Sequence, residues 1–485
     1  MVWEFKRKPD IMSESTSEET DKNLPIQTTT LVFDRNIQEN LSLEGITRIS
    51  VSGYKSLYEE CSIEVRPLTI LAGANSSGKS SMMQPLLLLK QTLEATYDPG
   101  ALLLDGPNVR FTLASQLFSQ IPGKNSPNCL IVNLEIDDAS IKTTFKKEHN
   151  QEIEVISTTC KYRQQEFTVS LGMNIEDAER ELKKWISGDE LWSNLFAKTE
   201  QEITCSFGRL RCFLHTNSQV KLPIEKLGTV NFTIYDSRSH TSLFESEIRR
   251  LIHVPALRGN PERAYKTTAV GREFTGTFEN YVASIINRWQ KTEDNRLIDL
   301  AKALQTLGLT WKVDAKQIND VQIELRVARL PRSGEVEDMV SLADVGFGVS
   351  QTLPVLVALI VAEPGQLVYL EQPEIHLHPR AQAALGEILA DAANRGVKVV
   401  VETHSDLLLR RIQTLVAEDK ISPEKVKLHW FKRRDDGVTE VSSTDLDDAG
   451  AFGDWPEDFS DVALTEESRY LDAAESRLAQ RSYAS

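Results

Sequence analysis

Hydrophobic and polar positions change period several times along the chain, and each change predicts an element. Ile46-Thr-Arg-Ile-Ser-Val-Ser52 and Leu68-Thr-Ile-Leu-Ala72 read as strands. The second runs into a glycine-rich loop and then an apolar helix from Lys79 to about Thr96. Over 126–172 apolar and polar residues alternate like antiparallel strands, in Cys129-Leu-Ile-Val-Asn-Leu-Glu-Ile136 and Phe167-Thr-Val-Ser-Leu171. Helical spacing follows over Ile175–Phe196 and Phe278–Leu307, where Phe278, Tyr281, Val282, Ile285, Ile286 and Trp289 predict a core-facing stripe. Gln366-Leu-Val-Tyr-Leu370 predicts a buried strand, Arg380–Asn394 a helix closed by Gly396, and Val397-Lys-Val-Val-Val401 the next strand.

Strand and helix in alternation imply an α/β fold, a mainly parallel sheet with helices on both faces. The expected division is a partly disordered tail over 1–44, with its polar, acidic run at 11–24. A first core half spans 45–119, an antiparallel β lobe with a helical insertion 120–335, and a second core half with a small C-terminal subdomain 336–485. No internal repeat is seen.

Composition narrows this picture only in places. Hydrophobic content of 40% and charged content of 26% are ordinary for a globular chain, and 485 residues suggest two or three lobes. The longest apolar run, Thr352–Leu370, is broken by Glu363, Pro364 and Gly365, so no membrane span is expected. Lys6, Arg7 and Lys8 are followed by no apolar segment, which leaves a cytoplasmic protein as the expectation. Cys61, Cys129, Cys160, Cys205 and Cys212 are scattered and read as reduced packing thiols. A net charge of −16 argues against nucleic-acid binding over the whole surface, because phosphate neutralisation needs clustered lysine and arginine. The basic run Lys425, Lys427, Lys432, Arg433 and Arg434 is open to two readings, a strand edge guarded by charge or a local binding surface.

The chemistry concentrates in three segments. Gly73-Ala-Asn75-Ser76-Ser77-Gly78-Lys79-Ser80 fits G-x-x-x-x-G-K-S between a strand and a helix, the context in which backbone N–H groups converge on phosphate oxygens. Lys79 is expected to reach the β- and γ-phosphates of ATP and the Ser80 hydroxyl to hold Mg²⁺, with Gly73, Asn75, Ser76, Ser77, Gly78 and Ser81 completing the contacts. Leu367-Val-Tyr-Leu370 ends in Glu371-Gln372-Pro373-Glu374, and an acid at the end of such a strand, Glu371, is expected beside the Mg²⁺, holding its water shell. His404 follows the next strand, placed to sense the γ-phosphate or orient water.

Together these residues resemble the ABC-type ATPases that include SMC, RecF and OLD-like proteins. Gly53-Tyr54-Lys55-Ser56 looks like that group's segment beside the nucleotide, Asp344-Val-Gly-Phe-Gly348-Val-Ser350-Gln351 like its signature, Ile375-His-Leu-His-Pro379 like its D-loop, and Thr403-His-Ser405 like its His switch. A narrower resemblance, to bacterial "AAA family" ATPases of OLD/RecF-like type with a small C-terminal domain of unknown function, rests on Val254-Pro-Ala-Leu-Arg258, Gly346–Pro354, Glu371–Pro379 and Trp455-Pro-Glu-Asp-Phe459. It covers about 45–118 and 250–460. It implies a P-loop NTPase of ABC type and a homodimer or higher homo-oligomer, in which Gly348 and Ser350 of one chain close on ATP held by Lys79 of another. It also implies control of a protein effector such as a nuclease or toxin, in anti-phage defence or DNA maintenance, with nucleic acid a possible partner and no membrane.

One departure stands out: Gln372 occupies the place of the catalytic glutamate of most ABC enzymes. A neutral amide orients water but accepts no proton. Three readings stay open: slow hydrolysis with ATP as a long-lived clamp, Glu374 acting as the base with His404, or an engineered substitution. The alternative function is a non-hydrolysing, ATP-locked scaffold; a transporter motor fits poorly with the central insertion. A metal trio of His376, His378 and His404 and a nuclease-like acidic group at Asp445-Leu-Asp-Asp448 are the weaker constellations.

Overall fold

The computed structural model describes residues 31–32, 45–148, 152–163, 165–174, 176–177, 180–181, 202–224, 228–234, 236–329, 338–453 and 468–474. The expected tail at 11–24, most of the helix expected over Ile175–Phe196, and Trp455–Phe459 lie outside the described residues.

A six-stranded sheet forms the core. Its strands are β1 (Leu68–Gly73), β2 (Ile252–Val254), β3 (Leu367–Glu371), β4 (Lys398–Glu402), β5 (Val426–Arg433) and β6 (Thr439–Thr444), in the order β2-β3-β4-β1-β5-β6. Every pairing is parallel except the β5–β6 hairpin. Period-two alternation explains the burial of both faces. Leu68, Ile70, Val368, Leu370, Val399 and Val401 enter one apolar cluster, and Leu71, Leu367, Tyr369 and Val400 enter the other.

The helices of the first face are α3 (Glu279–Lys291), α4 (Arg296–Thr306), α5 (Phe347–Val361), α6 (Pro379–Asn394) and α7 (Asp406–Ala417). The stripe from Phe278 to Trp289 is core, as the spacing predicted. The other face packs on α1 (Lys79–Glu94) and on an antiparallel sheet that contains the alternating strands Cys129–Ile136 and Gln165–Ser170. Helix α2 (Asp236–Arg250) lies beside α1: Lys90 on α1 pairs with Glu94 and donates to the Arg249 carbonyl at 2.7 Å. Among the described residues, no helix is long and apolar enough to cross a membrane.

The sheets do not divide where the sequence suggested. Arg48–Ser52 and Cys61–Glu64, expected in the core half 45–119, belong to the antiparallel sheet, where Arg48–Ser52 pairs with Cys129–Ile136. Conversely Ile252–Val254, inside the expected insertion 120–335, is an edge strand of the core sheet. Both are long-range pairings, which local periodicity does not encode. The basic run at 425–434 is likewise no edge strand, since β5 lies between β1 and β6. Lys427 is buried and paired with Asp445 at 2.8 Å, while Arg434 pairs with Asp436 and Lys425 reaches Asn394. Asp445, one of the acidic group at 445–448, is therefore committed to an ion pair. Cys61, Cys160 and Cys212 are buried free thiols; burial pushes Cys61 up to about 11 and Cys160 to about 12, so these are packing groups.

His429 on β5 is buried with Nε2 2.8 Å from the Glu64 carbonyl and Nδ1 2.7 Å from the Ser443 hydroxyl. Burial holds its pKa down at about 4. The folded state keeps it neutral while the unfolded chain takes up a proton below the ordinary histidine value. Stability contributed above about pH 6.5 is thus lost as pH falls towards 4, on the order of 3 kcal/mol. Urea unfolding at pH 7 and pH 4 measures this, and His429→Asn should flatten the slope in that window.

Candidate functional site

The phosphate loop follows β1 because the strand ends in a glycine with nowhere to place a side chain. Gly73 sits at φ +142°, and a Cβ there would run into the Phe431 carbonyl of β5. Gly78, the residue before α1, sits at φ +111°, and its Cβ would meet Thr439 Oγ1 at 2.5 Å. Thr439 is fastened in turn, its hydroxyl lying 2.7 Å from the Ser77 carbonyl and 2.8 Å from Ser56 Oγ. Helix α1 starts without a side-chain cap, so its first N–H groups have no capping side chain. Lys79 is buried and folds back on the loop, with Nζ 3.0 Å from the Gly73 carbonyl and 2.9 Å from that of Ala74. Burial lowers its pKa, and the Glu402 charge acts against that shift.

Above the loop opens a cleft of about 630 Å³. Of the predicted residues, Lys55, Asn75, Ser76, Ser77, Gly78, Lys79, Ser80, Ser81, Gln372 and His404 line it. Three of these, Lys55, Ser76 and Gln372, have positive φ (48°, 59° and 42°) without being glycine, so strained backbone gathers at the cleft. Lys55, Lys79 and Arg433 supply three cations against one carboxylate, Glu402. In a chain of net charge −16 this cleft is a local positive site. His404 loses basicity through burial and then through Lys79, with the Gly73 backbone acting the other way, which favours a neutral imidazole.

Glu371 was expected beside the Mg²⁺; the carboxylate in contact with Ser80 is Glu402, whose Oε1 and Oε2 lie 3.0 and 2.8 Å from the hydroxyl. The reason is strand order: β4 lies between β1 and β3, so Glu371 starts one strand further from the phosphate loop. Glu371 turns the other way. Its Oε1 is 3.2 Å from His253 Nε2 and its Oε2 accepts the Ala256 N–H at 3.1 Å, while Arg258 donates to its carbonyl. Burial raises its pKa, but the hydrogen bond and charge of His253, helped by Ala256 and Tyr369, outweigh that and hold it below the usual carboxylate value. Burial pushes Glu402 the other way, up, against Ser80 and Lys79.

Glu374 does not line the cleft either. It is buried, and its Oε1 accepts from Thr403 Oγ1 at 2.5 Å and the His404 N–H at 3.0 Å, so it positions the histidine loop. Tyr54 lies below the cleft, fully buried, with its hydroxyl 3.0 Å from Gln84 Oε1, which Lys55 also reaches at 2.6 Å. Gly348 and Ser350 open α5 away from the phosphate loop; Ser350 borders a second cavity of about 530 Å³ with Arg258 and Glu279. Among the described residues, no group of three or more histidines, cysteines or acids could hold a metal, so His376, His378 and His404 share no site.

Two charged cleft residues, Glu402 and Arg433, were not placed at the nucleotide by the sequence reading. Glu402 ends a buried strand just as Glu371 does, and the same strand-end logic applied to Val399-Val-Val-Glu402 would have found it. Arg433, whose Nη1 lies 3.3 Å from the Ser76 carbonyl, reaches the cleft only because β5 pairs with β1.

Comparison with known proteins fits this geometry. The family described as "AAA domain, putative AbiEii toxin, Type IV TA system" matches residues 68–410, well over half of the chain. The chain belongs to this family. The matched segment is an AAA domain. Solved structures of similar arrangement include an Smc head bound to the C-winged helix domain of ScpA, at 12% identity, covering 84% of this AAA domain chain and 99% of that one, TM-score 0.43. An SMC head domain from Thermotoga maritima is 9% identical, with 82% and 98% covered and TM-score 0.37. An Smc head from Pyrococcus furiosus with an extended coiled coil, bound to the C-terminal domain of ScpA, is 11% identical, with 89% and 99% covered and TM-score 0.40. No curated protein matches the AAA-domain chain.

Gly78→Ala tests the loop. Strain and the Thr439 contact together should cost about 1–3 kcal/mol, weakening nucleotide binding roughly tenfold or more in a fluorescent-nucleotide titration.

Proposed function

We propose that the cleft binds Mg²⁺·ATP and hydrolyses it slowly, and that nucleotide occupancy drives a head-to-head dimer that controls a partner effector. The observation that carries the nucleotide reading is the meeting of Lys79, the uncapped α1 N-terminus and the Ser80–Glu402 contact in one positive cleft of an acidic chain. Lys79 would exchange its two loop carbonyls for phosphate oxygens, while the α1 N–H groups face the same anion. Lys55 and Arg433 add charge along the rim. The Ser80 hydroxyl and a strand-end carboxylate are oxygen donors, the set Mg²⁺ takes. Bound there, the ion would draw charge from the phosphate oxygens and hold them in place.

Gln372 lines the cleft with an amide, and His404 beside it favours the neutral form. Both can orient a water by hydrogen bonding; the amide accepts no proton, and burial weakens His404 as a base. With Glu374 committed to the histidine loop, this supports slow turnover. It also supports a second reading, a scaffold that ATP locks without hydrolysis. Phosphate release separates them. Lys79→Ala should lower a basal rate by about a hundredfold, and Gln372→Glu should raise it on the order of tenfold or more. If the wild type releases no phosphate yet dimerises with ATP, the scaffold reading stands.

Support for dimerisation comes from the start of α5. Phe347 and Ile375 are 57% and 50% exposed, and the Phe347 ring lies 6.3 Å from that of His376. A Cβ at Gly348 would meet only ordinary contacts within the chain, Leu309 at 3.4 Å and the His376 carbonyl at 3.6 Å. Internal packing therefore does not demand glycine there, and close approach of a second copy's nucleotide would. The family's description, with its reference to a toxin and a Type IV TA system, supports a role in defence. Ser350→Arg should abolish ATP-dependent dimers in light scattering, with monomer nucleotide affinity within about threefold of wild type; dimers that persist unchanged would sink the signature assignment.

A further inference from the structure

The two acids at the strand ends stand level with each other, because β3 and β4 run parallel with Glu371 opposite Glu402. Only one is free to serve the phosphate loop. The carboxylate of Glu371 is held at both oxygens, by His253 and by the Ala256 N–H. His253 is itself fixed: Nδ1 faces Asn108 Oδ1 at 3.2 Å, and the ring stacks on Tyr369 with centroids 5.4 Å apart. Tyr369 completes the arrangement by donating to Glu402 Oε2 at 3.0 Å, which orients that carboxylate towards Ser80.

The spacing of Ser80 and Glu402 is that of a hydrogen bond, and it also matches two neighbouring ligands of one ion. Mg²⁺ takes octahedral oxygen ligands at 2.0–2.1 Å, so two neighbouring ligand atoms stand about 2.9 Å apart. The Ser80 hydroxyl and the Glu402 oxygens are 2.8 and 3.0 Å apart already. A hydroxyl that donates to a carboxylate keeps a lone pair for a cation. We infer that Glu402 is the carboxylate this chain presents to the nucleotide's Mg²⁺, and that Glu371, clamped by His253, is a positioning residue. The inference rests on the Mg²⁺·ATP reading above and assigns its metal carboxylate to β4 instead of β3.

The test uses the full chain and a non-hydrolysable ATP analogue. Its affinity is measured with Mg²⁺ and with chelator, and bound Mn²⁺ is followed by electron paramagnetic resonance. Glu402→Gln should reduce the metal-dependent gain in affinity at least about tenfold and remove the bound-Mn²⁺ signal. Glu371→Gln should keep that gain within about threefold and retain the signal. Loss of the gain in Glu371→Gln, or its retention in Glu402→Gln, overturns the assignment. Should Glu402→Gln fail to fold, by thermal melting, Glu402→Asp is the second variant. Its shorter side chain should weaken the metal-dependent gain without abolishing it, and an undiminished gain overturns the assignment equally. Wild-type protein that binds no analogue sinks the nucleotide reading itself. Wild-type protein that binds the analogue equally with and without Mg²⁺ overturns the metal assignment alone.

Discussion

The parallel pairing of β1 with its two neighbours is the constraint on which the rest of the structure depends. β4 on one side and β5 on the other run in the same direction as β1, so all three end at one edge of the sheet. That edge receives the phosphate loop from β1, Glu402 and His404 from β4, and Arg433 from β5. Parallel strands demand long crossovers, and here the crossovers carry the rest of the machinery. Helix α1 begins one of them. Helix α6, which connects β3 to β4, follows the turn that holds Gln372 and Glu374.

Packing enforces this geometry from below and from the side. Both faces of the sheet are apolar, which leaves the strand ends as the place where polar groups gather. From the side, the β5–β6 hairpin braces the loop. The Phe431 carbonyl leaves no room for a Cβ at Gly73, and Thr439 leaves none at Gly78. The phosphate loop is thus a backbone shape moulded by strands that lie far away in sequence.

Charge is handled by separating two acids that stand opposite each other. Glu371 is held below the usual carboxylate pKa by His253 and by the Ala256 N–H, whereas Glu402 is pushed up by burial and lies against Ser80 and Lys79. Tyr369, buried between them, is within reach of both carboxylates. Arg258 ties the segment after β2 to the carbonyl of Glu371 and borders the cavity beneath the start of α5. The turn that begins at Gln372 is therefore linked to the α5 face through groups with little room to move.

Much was decided by the sequence alone. The phosphate loop, the apolar runs of β3 and β4 and the stripe of α3 depend on local spacing, and local spacing survives folding unchanged. So does the identity of Gln372, an amide in any fold. The tertiary structure decided which acid meets Ser80, because that depends on β4 lying between β1 and β3, an order set by long-range pairing. It also withdrew Glu374 and Tyr54 from the cleft, since burial and hydrogen-bond partners, not position after a strand, determine where a side chain points. Arg433 came into the site for the same reason. Its partner strand is more than three hundred residues away in the chain, and only the register of β5 against β1 brings them together.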